Sequence, residues 1–282
     1  MRLVVFDESR LGLLRDAVVV DVSDLAGAGR GSWPPVFLLQ AIADFDRLRP
    51  RFLEALRDRR GIPFDRVHLR APVVFPSKVI AAPVNYRLHI EEMRPLVKGE
   101  LHAIERYGLF LKAPSSIVGP EATVELPFPD RRTDHEVELG VVIGWTTRDV
   151  AMADAMPHVF GYTGVMDITV RGDEDRSTRK SFDTFTPVGP VLVTADEIPD
   201  PHRLRLRLWV NGEPRQDGNT RDMIWNVPKL IEYTSHVMTL NPGDLLSTGT
   251  PEGVGPLRPG DEVTLEVERI GRMSVRVELR KP

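Results

Sequence analysis

Two glutamates, Glu136 and Glu138, are separated by a single residue in the stretch TDHEVELGVVIG, residues 133–144. The stretch has the apolar alternation of a β-strand, with Asp134, Glu136 and Glu138 on one face and His135 on the other. Because side chains on one face of a strand repeat at every second residue, Glu136 and Glu138 should lie ~6.6 Å apart along that row. Taken alone, the pattern is typical of a solvated face of an antiparallel strand.

A third carboxylate, Asp167, follows the apolar segment GYTGVM. An aspartate in such a segment is rarely buried without a partner. If Asp167 met Glu136 and Glu138, they would form an all-oxygen site, which favours Mg²⁺, Mn²⁺ or Ca²⁺ in a chain that has no cysteine. Three carboxylate ligands would leave octahedral positions for water and a chelating substrate. Spacing alone does not show that the three groups meet.

Composition narrows the class of protein. The 282 residues are 41% hydrophobic and 28% charged, as in ordinary globular chains, and they suffice for one large domain or a main domain plus a small one. The net charge of −4 gives no basic surface for nucleic acid, and no apolar run is long enough to span a membrane. An early charge in MRLVVFDESRLG argues against a signal peptide. The lack of cysteine fits a cytoplasmic enzyme.

The elements that must position the carboxylates fall into two regions. Residues 1–70 predict a small α/β module, in which RLVVF and AVVVDVS are strands. The segment that starts at Pro34 predicts a helix, interrupted at Pro50 and ended by Gly61.

From about residue 71 the pattern changes to many strands and few helices. PSKVIAAPVNY and HEVELGVVIG predict strands, and RLRLRLWVNGEPRQ predicts a hairpin around Asn211-Gly212, the preferred type I′ dipeptide. NVPKLIEYTSHVMTL keeps a 3.6-residue apolar period and predicts a helix. Pro-Gly-Asp turns at 242–244 and 259–261 each introduce an apolar strand. The fold class predicted is α+β, strand-rich, without regular βαβ alternation.

Several of these segments, in this order, resemble the fumarylacetoacetate hydrolase family over roughly residues 76–270. They include PSKVIAAPVNYRLHIEEM, FLKAPSSIVGP, DHEVELGVVIG, GYTGVMDITVRGDED, KSFDTFTPVGPVL and the long segment LWVNGEPRQ to LRPGD. The resemblance implies a mixed β fold, a β-roll of curved sheets with a few helices, as a catalytic domain over residues 71–282. A small N-terminal domain, residues 1–70, would precede it, and the family commonly forms homodimers.

The resemblance gives the carboxylates a role. The family pattern E-x-E, followed by a later aspartate, supplies divalent-metal ligands, which here fall on Glu136, Glu138 and Asp167. The implied cofactor is Mg²⁺, with Mn²⁺ or Ca²⁺ as alternatives. Lys180, in the KSFD segment, matches a lysine near the metal and the substrate, where its charge would stabilise a developing enolate.

Three further residues are implied on the substrate side. Arg171 keeps the family's arginine four residues after Asp167. Thr250, in STGTPEG, matches the threonine that hydrogen-bonds the carboxylate end of the substrate, and Gly249 lies beside it. Glu174 departs from the pattern, since a substrate-contacting glutamine is common there. This departure bears on the identity of the substrate more than on the metal.

His89 and Glu92, in NYRLHIEEM, are three residues apart and would share one face of a helix. The resemblance makes them the His–Glu dyad of acylpyruvase-like members, carried on a lid at 87–108 that orders over the substrate. Glu92 would orient and polarise His89, which would take a proton from water. The other six histidines are predicted to be structural or inert.

The resemblance therefore implies a metal-dependent hydrolase that cleaves a carbon–carbon bond in a 2,4-dioxo acid of the acylpyruvate or fumarylpyruvate type, in aromatic catabolism, by way of a pyruvate enolate. The nearest alternatives are decarboxylation of oxaloacetate-like acids and isomerisation of 2-hydroxy-diene-dioates, which need metal chelation and enolate stabilisation but no attack by water. A further alternative is a non-catalytic metal- or ligand-binding protein. The His–Glu dyad argues against it, because a binder needs no proton-transfer pair.

Overall fold

The computed structural model describes residues 1–27, 36–96 and 100–281. In chain order its strands are β1 (Arg2–Phe6), β2 (Arg10–Arg15), β3 (Val18–Asp21), β4 (Ile62–Pro63), β5 (Leu69–Arg70), β6 (Val79–Ala81), β7 (Phe110–Lys112), β8 (Ile117–Val118), β9 (Thr123–Leu126), β10 (Thr133–His135), β11 (Val137–Ile143), β12 (Val159–Met166), β13 (Thr169–Val170), β14 (Thr186–Thr194), β15 (Arg205–Val210), β16 (Glu213–Asn219), β17 (Leu245–Ser247), β18 (Gly255–Pro256), β19 (Glu262–Val267) and β20 (Gly271–Leu279). Its α-helices are α1 (Phe37–Ala43), α2 (Phe45–Asp58), α3 (Arg87–Met93), α4 (Ile104–Tyr107), α5 (Arg176–Arg179) and α6 (Val227–Val237).

The strands within the described residues form three sheets. The largest runs in the order β4-β3-β2-β1-β14-β12-β11-β17-β6-β7, with β5 paired to β1 and β8 to β14. A second sheet runs β16-β15-β19-β20-β9, and a small third sheet runs β13-β10-β18. Most neighbours are antiparallel, whereas β6 pairs with β17, β8 with β14 and β9 with β20 in parallel. This strand-rich α+β architecture confirms the predicted fold class.

Two apolar clusters lie on either side of the central strand β11. Alternate residues such as Val141 pack in a cluster that also contains Leu206 and Leu265 of the second sheet. Val142 packs in the other cluster, together with Phe37 and other side chains of the N-terminal helices. Because both of its faces are covered, β11 is buried along its whole length. Any polar side chain on this strand must therefore find its partners inside the protein.

The N-terminal helical segment differs from the prediction. The break falls at Asp44, between α1 and α2, and Pro50 lies inside α2 instead of interrupting the helix. Proline removes one backbone donor, but apolar side chains of α2 such as Phe52 are buried and hold the helix against the protein. The helix ends at Asp58, before Gly61. Residues 34–35, where the helix was predicted to begin, lie outside the described residues.

The turn predictions of the C-terminal region are confirmed. Asn211 and Gly212 both have positive φ, 54° and 79°, as a type I′ turn requires, and they join β15 to β16. Asn226 caps the first turn of α6 by accepting from the Lys229 backbone N–H at 3.0 Å. Gly243 and Gly260, in the two Pro-Gly-Asp turns, also have positive φ, 86° and 96°.

The division of the chain at residue 70 stays a prediction. The N-terminal strands extend the large sheet, because β1 pairs with β14 as well as with β2. Among the described residues, no helix is both long and apolar enough to cross a membrane.

Candidate metal centre and active site

Three acidic side chains meet where β11 begins and β12 ends. Glu138 lies on β11, paired with Val165 of β12, while Glu136 immediately precedes β11 and Asp167 immediately follows β12. The Asp167 backbone N–H donates to the Glu136 carbonyl at 2.9 Å, which continues the pairing and brings the two side chains together. One oxygen of each carboxylate lies within 4.8 Å of the other two. The sequence spacing thus becomes a three-carboxylate cluster.

The cluster is inside the protein. Glu136, Glu138 and Asp167 are 4%, 1% and 1% exposed. The alternative of a solvated strand face is therefore wrong, because β11 lies between β12 and β17 and not at an edge. Carboxylates buried in this way need cations or hydrogen-bond donors next to them.

Two lysines supply part of the positive charge. The Lys180 Nζ donates to Glu136 Oε2 at 2.8 Å and to Asp167 Oδ2. The Lys112 Nζ donates to the other Asp167 oxygen at 2.5 Å and to the Phe185 carbonyl at 2.9 Å. Lys112 ends β7 and is fully buried, and sequence reasoning gave it no role. The one feature of the sequence that could have indicated Lys112 is its place as a single lysine at the end of a short apolar strand.

The third carboxylate, Glu138, has different partners. Its Oε2 accepts from the Ser247 hydroxyl and, at 2.8 Å, from the Gly249 backbone N–H. Gly249 has φ +89°, and a Cβ at this position would lie 2.7 Å from the Asn85 Cβ, so only glycine fits. Gly249, predicted to bind substrate, thus directs its N–H to Glu138. No donor to the Glu138 Oε1 exists among the described residues.

The carboxylates of the cluster have different proton affinities. Burial alone would raise the pKa of Glu136, but Lys180 and Arg171 hold that pKa well below its usual range. Burial and the neighbouring Asp167 raise the pKa of Glu138 to about 8. The part of the cluster around Glu138 is therefore short of positive charge.

The cluster fits a hard divalent cation. Its oxygen donors are of the type that Mg²⁺, Mn²⁺ and Ca²⁺ prefer. The Glu138 Oε1 is free of donors among the described residues. Burial and then repulsion from Asp167 raise the pKa of Glu138, and a cation would relieve that repulsion. The residues that could hold the ion are Glu136, Glu138 and Asp167.

His89 and Glu92 form a pair on α3, at the side of the same cavity. The His89 Nδ1 lies 3.2 Å from the Glu92 Oε2, and the other Glu92 oxygen accepts from the Gly253 N–H at 2.9 Å. Burial would raise the pKa of Glu92, but His89 and backbone N–H groups bring that pKa below its ordinary value. An ionised Glu92 can therefore orient the imidazole. The proposed lid at 87–108 stays a prediction, because residues 97–99 lie outside the described residues.

Arg171 reaches the cluster from the adjoining loop. Its Nε donates to Asp134 at 2.7 Å, and its Nη2 donates to Glu136 Oε1 at 3.0 Å. Asp134 also accepts from Arg132 at 2.7 Å. Arg171, predicted on the substrate side, is therefore also a partner of one metal-ligand candidate.

Thr250 is held tightly by its neighbours. Its hydroxyl donates to the Val137 carbonyl at 2.8 Å and accepts from the Gln216 side-chain amide at 2.8 Å. Gln216 in turn contacts His135 at 3.2 Å, which gives that buried histidine the structural place expected of it. The Thr250 hydroxyl therefore donates its proton within the protein and not to a ligand. Its backbone N–H, for which the described residues offer no acceptor, is the donor left for a ligand.

One cavity of about 110 Å³ connects these groups. Its lining includes six of the residues predicted for the site: His89, Glu136, Glu138, Arg171, Lys180 and Thr250. Glu92, Asp167 and Gly249 lie behind this lining, each bonded to one of its members. Two arginines on α5, Arg176 and Arg179, also line the cavity and were missed, although they lie in the unusually charged loop after Asp167. A larger cavity, of about 850 Å³, lies next to residues 114–122 and contains none of these groups.

The sequence of this chain is similar to a protein-family model and to proteins of known function. The family model described as fumarylacetoacetate (FAA) hydrolase C-terminal matches residues 78–278. A maleylpyruvate hydrolase from Aquipseudomonas alcaligenes is 43% identical over 284 residues, which cover 98% of this chain and 99% of that protein.

A solved structure and a second curated relative extend the comparison. The crystal structure of maleylpyruvate hydrolase from Sphingobium sp. SYK-6, in complex with manganese (II) ion and pyruvate, superposes with a TM-score of 0.90 at 42% identity and full coverage of both chains. The 4-hydroxyphenylacetate degradation bifunctional isomerase/decarboxylase of Escherichia coli is 43% identical over 204 residues, 71% of this chain and 46% of that protein. With the family model covering most of its length and a relative matching it from end to end, this chain belongs to the fumarylacetoacetate hydrolase family.

Proposed function

We propose that this protein is a divalent-metal-dependent hydrolase that cleaves the carbon–carbon bond of a 2,4-dioxo acid, of the acylpyruvate or fumarylpyruvate type, in aromatic catabolism. The observation that carries the proposal is the placement of a His–Glu pair, the buried His89 and the half-buried Glu92, at the same small cavity as the three-carboxylate cluster and Lys180. Full-length similarity to two maleylpyruvate hydrolases supports the same class of substrate.

The cation is part of the proposal. When held by Glu136, Glu138 and Asp167, it would supply a Lewis acid for the keto-acid end of the substrate. We propose Mg²⁺ as the native ion because all three candidate ligands are hard oxygens; Mn²⁺ is the ion in the Sphingobium structure, and Ca²⁺ suits the same donors.

His89 is proposed to act as the general base. Its Nδ1 contacts Glu92, which leaves the Nε2 to take a proton from water. The water oxygen then bonds to C4 of the substrate, the C3–C4 bond breaks, and its electron pair passes to the three-carbon fragment as an enolate. Protonation of that enolate at C3 completes pyruvate, while the other fragment leaves as a carboxylic acid.

Lys180 is proposed to stabilise the negative charge that develops on the enolate. Its Nζ already donates to Glu136 and Asp167, so it is held in place before the substrate arrives. Arg171 and the Thr250 backbone N–H are proposed to bind the carboxylate end of the substrate. In this arrangement the chain itself supplies orientation, a base and fixed positive charge.

A second candidate keeps the enolate chemistry but needs no water. Decarboxylation of an oxaloacetate-like acid, or isomerisation of a 2-hydroxy-diene-dioate, would use the same cluster, and the similarity to the E. coli isomerase/decarboxylase favours it. The His89–Glu92 pair favours hydrolysis instead, because activation of water requires a base. By the same reasoning a non-catalytic binding protein has no use for the pair.

The test is a substrate panel. Acetylpyruvate, fumarylpyruvate, maleylpyruvate and oxaloacetate are each mixed with the purified protein and Mg²⁺ or Mn²⁺, and the loss of enol absorbance is followed. Hydrolysis of the dioxo acids at a higher kcat/KM than turnover of oxaloacetate supports the proposal, and turnover of oxaloacetate alone contradicts it. We also propose a cytoplasmic homodimer, which the family resemblance supports and which size-exclusion chromatography with light scattering tests for the oligomer.

A further inference from the structure

Two arginines of the cavity wall take part in none of the ion pairs among the described residues. Arg176 and Arg179 lie on α5, immediately before Lys180, and both line the cavity that contains His89 and Glu136. Within the residues that the structure describes, neither guanidinium forms an ion pair, and the Arg179 Nε is buried without any hydrogen-bond partner.

Three acidic groups near the two arginines already bind other cations. Glu136 pairs with Lys180 and Arg171. Asp167 pairs with the two lysines, and Glu174, at the start of the same charged segment, pairs with Arg131. A divalent cation in the cluster would add still more positive charge. Among the described residues, no carboxylate is therefore placed to form an ion pair with either arginine.

The two guanidiniums lie on successive parts of the cavity wall. Arg176 stacks on the ring of Tyr107, with its Cζ 4.1 Å from the ring centroid, which fixes it against α4. Arg179 directly precedes Lys180; burial and the charges of Arg171 and Arg176 lower the pKa of Arg179, while Glu136 and Asp167 act in the opposite direction. Lys180, Arg179 and Arg176 thus all line the one cavity, as three cations on a short stretch of chain.

We propose that Arg179 and Arg176 form a subsite for a second, distal carboxylate of the substrate, so that the enzyme prefers dicarboxylic 2,4-dioxo acids; this inference rests on the proposed function. A guanidinium presents its N–H groups in a fork that matches a carboxylate, and the unpartnered Arg179 Nε supplies one such donor. With the keto-acid end at the carboxylate cluster, the acyl end of the substrate faces the two arginines. An acyl group that carries its own carboxylate, as in maleylpyruvate or fumarylpyruvate, completes the pairing.

A neutral acyl group gives the opposite result. Acetylpyruvate shares the keto-acid end but would leave the buried Arg179 Nε without a partner, which lowers its kcat/KM relative to that of a dicarboxylic substrate. The preference is therefore located in two side chains that contact neither the cluster nor the His89–Glu92 pair through a hydrogen bond.

The experiment measures kcat/KM for fumarylpyruvate and acetylpyruvate with wild-type protein, Arg179→Gln, Arg179→Lys and Arg176→Gln, at saturating Mn²⁺. For Arg179→Gln we expect kcat/KM for fumarylpyruvate to fall on the order of 10²-fold, mainly through KM, and that for acetylpyruvate to fall far less. Arg179→Lys should recover part of the loss, because it keeps the charge without the fork. Arg176→Gln, a milder change next to an aromatic ring, provides the same comparison if Arg179→Gln does not fold.

A matched control and two further outcomes complete the test. Arg203→Gln removes an exposed arginine of the surface and should leave the ratio of the two kcat/KM values as in the wild type. Equal losses on both substrates in the arginine variants would overturn the subsite while leaving the hydrolase intact. A wild-type enzyme that hydrolyses neither substrate would overturn the proposed function and the subsite together.

Discussion

Lys112 and Asp167 form a buried ion pair, with the Lys112 Nζ 2.5 Å from the Asp167 Oδ1 and no solvent exposure of the lysine side chain. Burial lowers the pKa of Lys112, and Asp167 partly offsets this. Lys112 approaches Asp167 from β7, whereas Lys180 approaches from the end of α5. Asp167 is thus held from two directions.

The first prediction concerns this pair. Lys112→Met should lower the free energy of unfolding of the metal-free protein by about 3–5 kcal/mol, because it leaves a buried carboxylate with one cation fewer. Urea unfolding followed by circular dichroism measures the change. Lys229→Met is the matched control, since Lys229 is 41% exposed, pairs with Glu232 at the surface, and should cost roughly 1 kcal/mol or less. Equal losses in the two variants would show that the pair contributes no special stability.

The second prediction concerns the metal. Mg²⁺ or Mn²⁺ should raise the melting temperature of the wild-type protein, because the cation relieves repulsion among the three carboxylates. Glu138→Ala should abolish that rise, whereas the exposed Glu278→Ala should keep it. Differential scanning calorimetry with EDTA and with each ion measures the melting temperatures of the three proteins. A wild-type melting temperature that is indifferent to EDTA and to both ions would remove the metal assignment.

The third prediction concerns pH. The pKa of Glu138 is about 8 in the folded metal-free protein and about 4.5 for an ordinary glutamate, so between these values the folded state holds a proton that the unfolded state has lost. The contribution of Glu138 to the free energy of unfolding therefore falls as pH rises from about 4.5 to 8 and is level above 8.

Metal binding must displace the same proton. The Kd for Mn²⁺ should increase about tenfold for each pH unit below 8, and nearly one proton should be released per ion bound at pH 7. Titration calorimetry in two buffers of different ionisation enthalpy measures the number of protons released per ion bound. A Kd that is constant between pH 6 and 8, with no proton released, would contradict this prediction.

The fourth prediction separates hydrolysis from decarboxylation. His89→Ala should lower the rate of acylpyruvate hydrolysis by roughly 10²–10⁴-fold, because water loses its base, while any decarboxylation of oxaloacetate should fall far less. The affinity for Mn²⁺ should match the wild type, since His89 is outside the proposed ligand set. Both rates are measured on one preparation of the variant. Equal losses on the two substrates would mean that His89 moves a proton in both reactions.

The sequence predicted much of the C-terminal region because its signals are local. The Asn211-Gly212 turn, the 3.6-residue period of α6 and the Pro-Gly-Asp turns each depend on neighbouring residues alone. The helix break at Asp44 was missed because proline usually interrupts a helix, and here burial of the apolar face of α2 outweighs the lost hydrogen bond at Pro50.

The site likewise contains residues that could be predicted from the sequence and residues that could not. The resemblance to the family, through its E-x-E pattern and the later aspartate, implied Glu136, Glu138 and Asp167 as a set, and the structure brings them together. Lys112 could not be recognised, because its partner lies 55 residues away and only the pairing of distant segments joins them. Arg179 was likewise visible only as part of a charged loop, since nothing local tells a lining residue from a solvated one.

The most direct test of the central claim is the fate of fumarylpyruvate in water enriched in ¹⁸O, with Mn²⁺ present. The account predicts one equivalent of pyruvate and one of fumarate per substrate consumed, with ¹⁸O from the water in the new carboxylate of fumarate, no CO₂, and loss of turnover in EDTA. Release of CO₂, or conversion of the substrate into an isomer without cleavage, would contradict it.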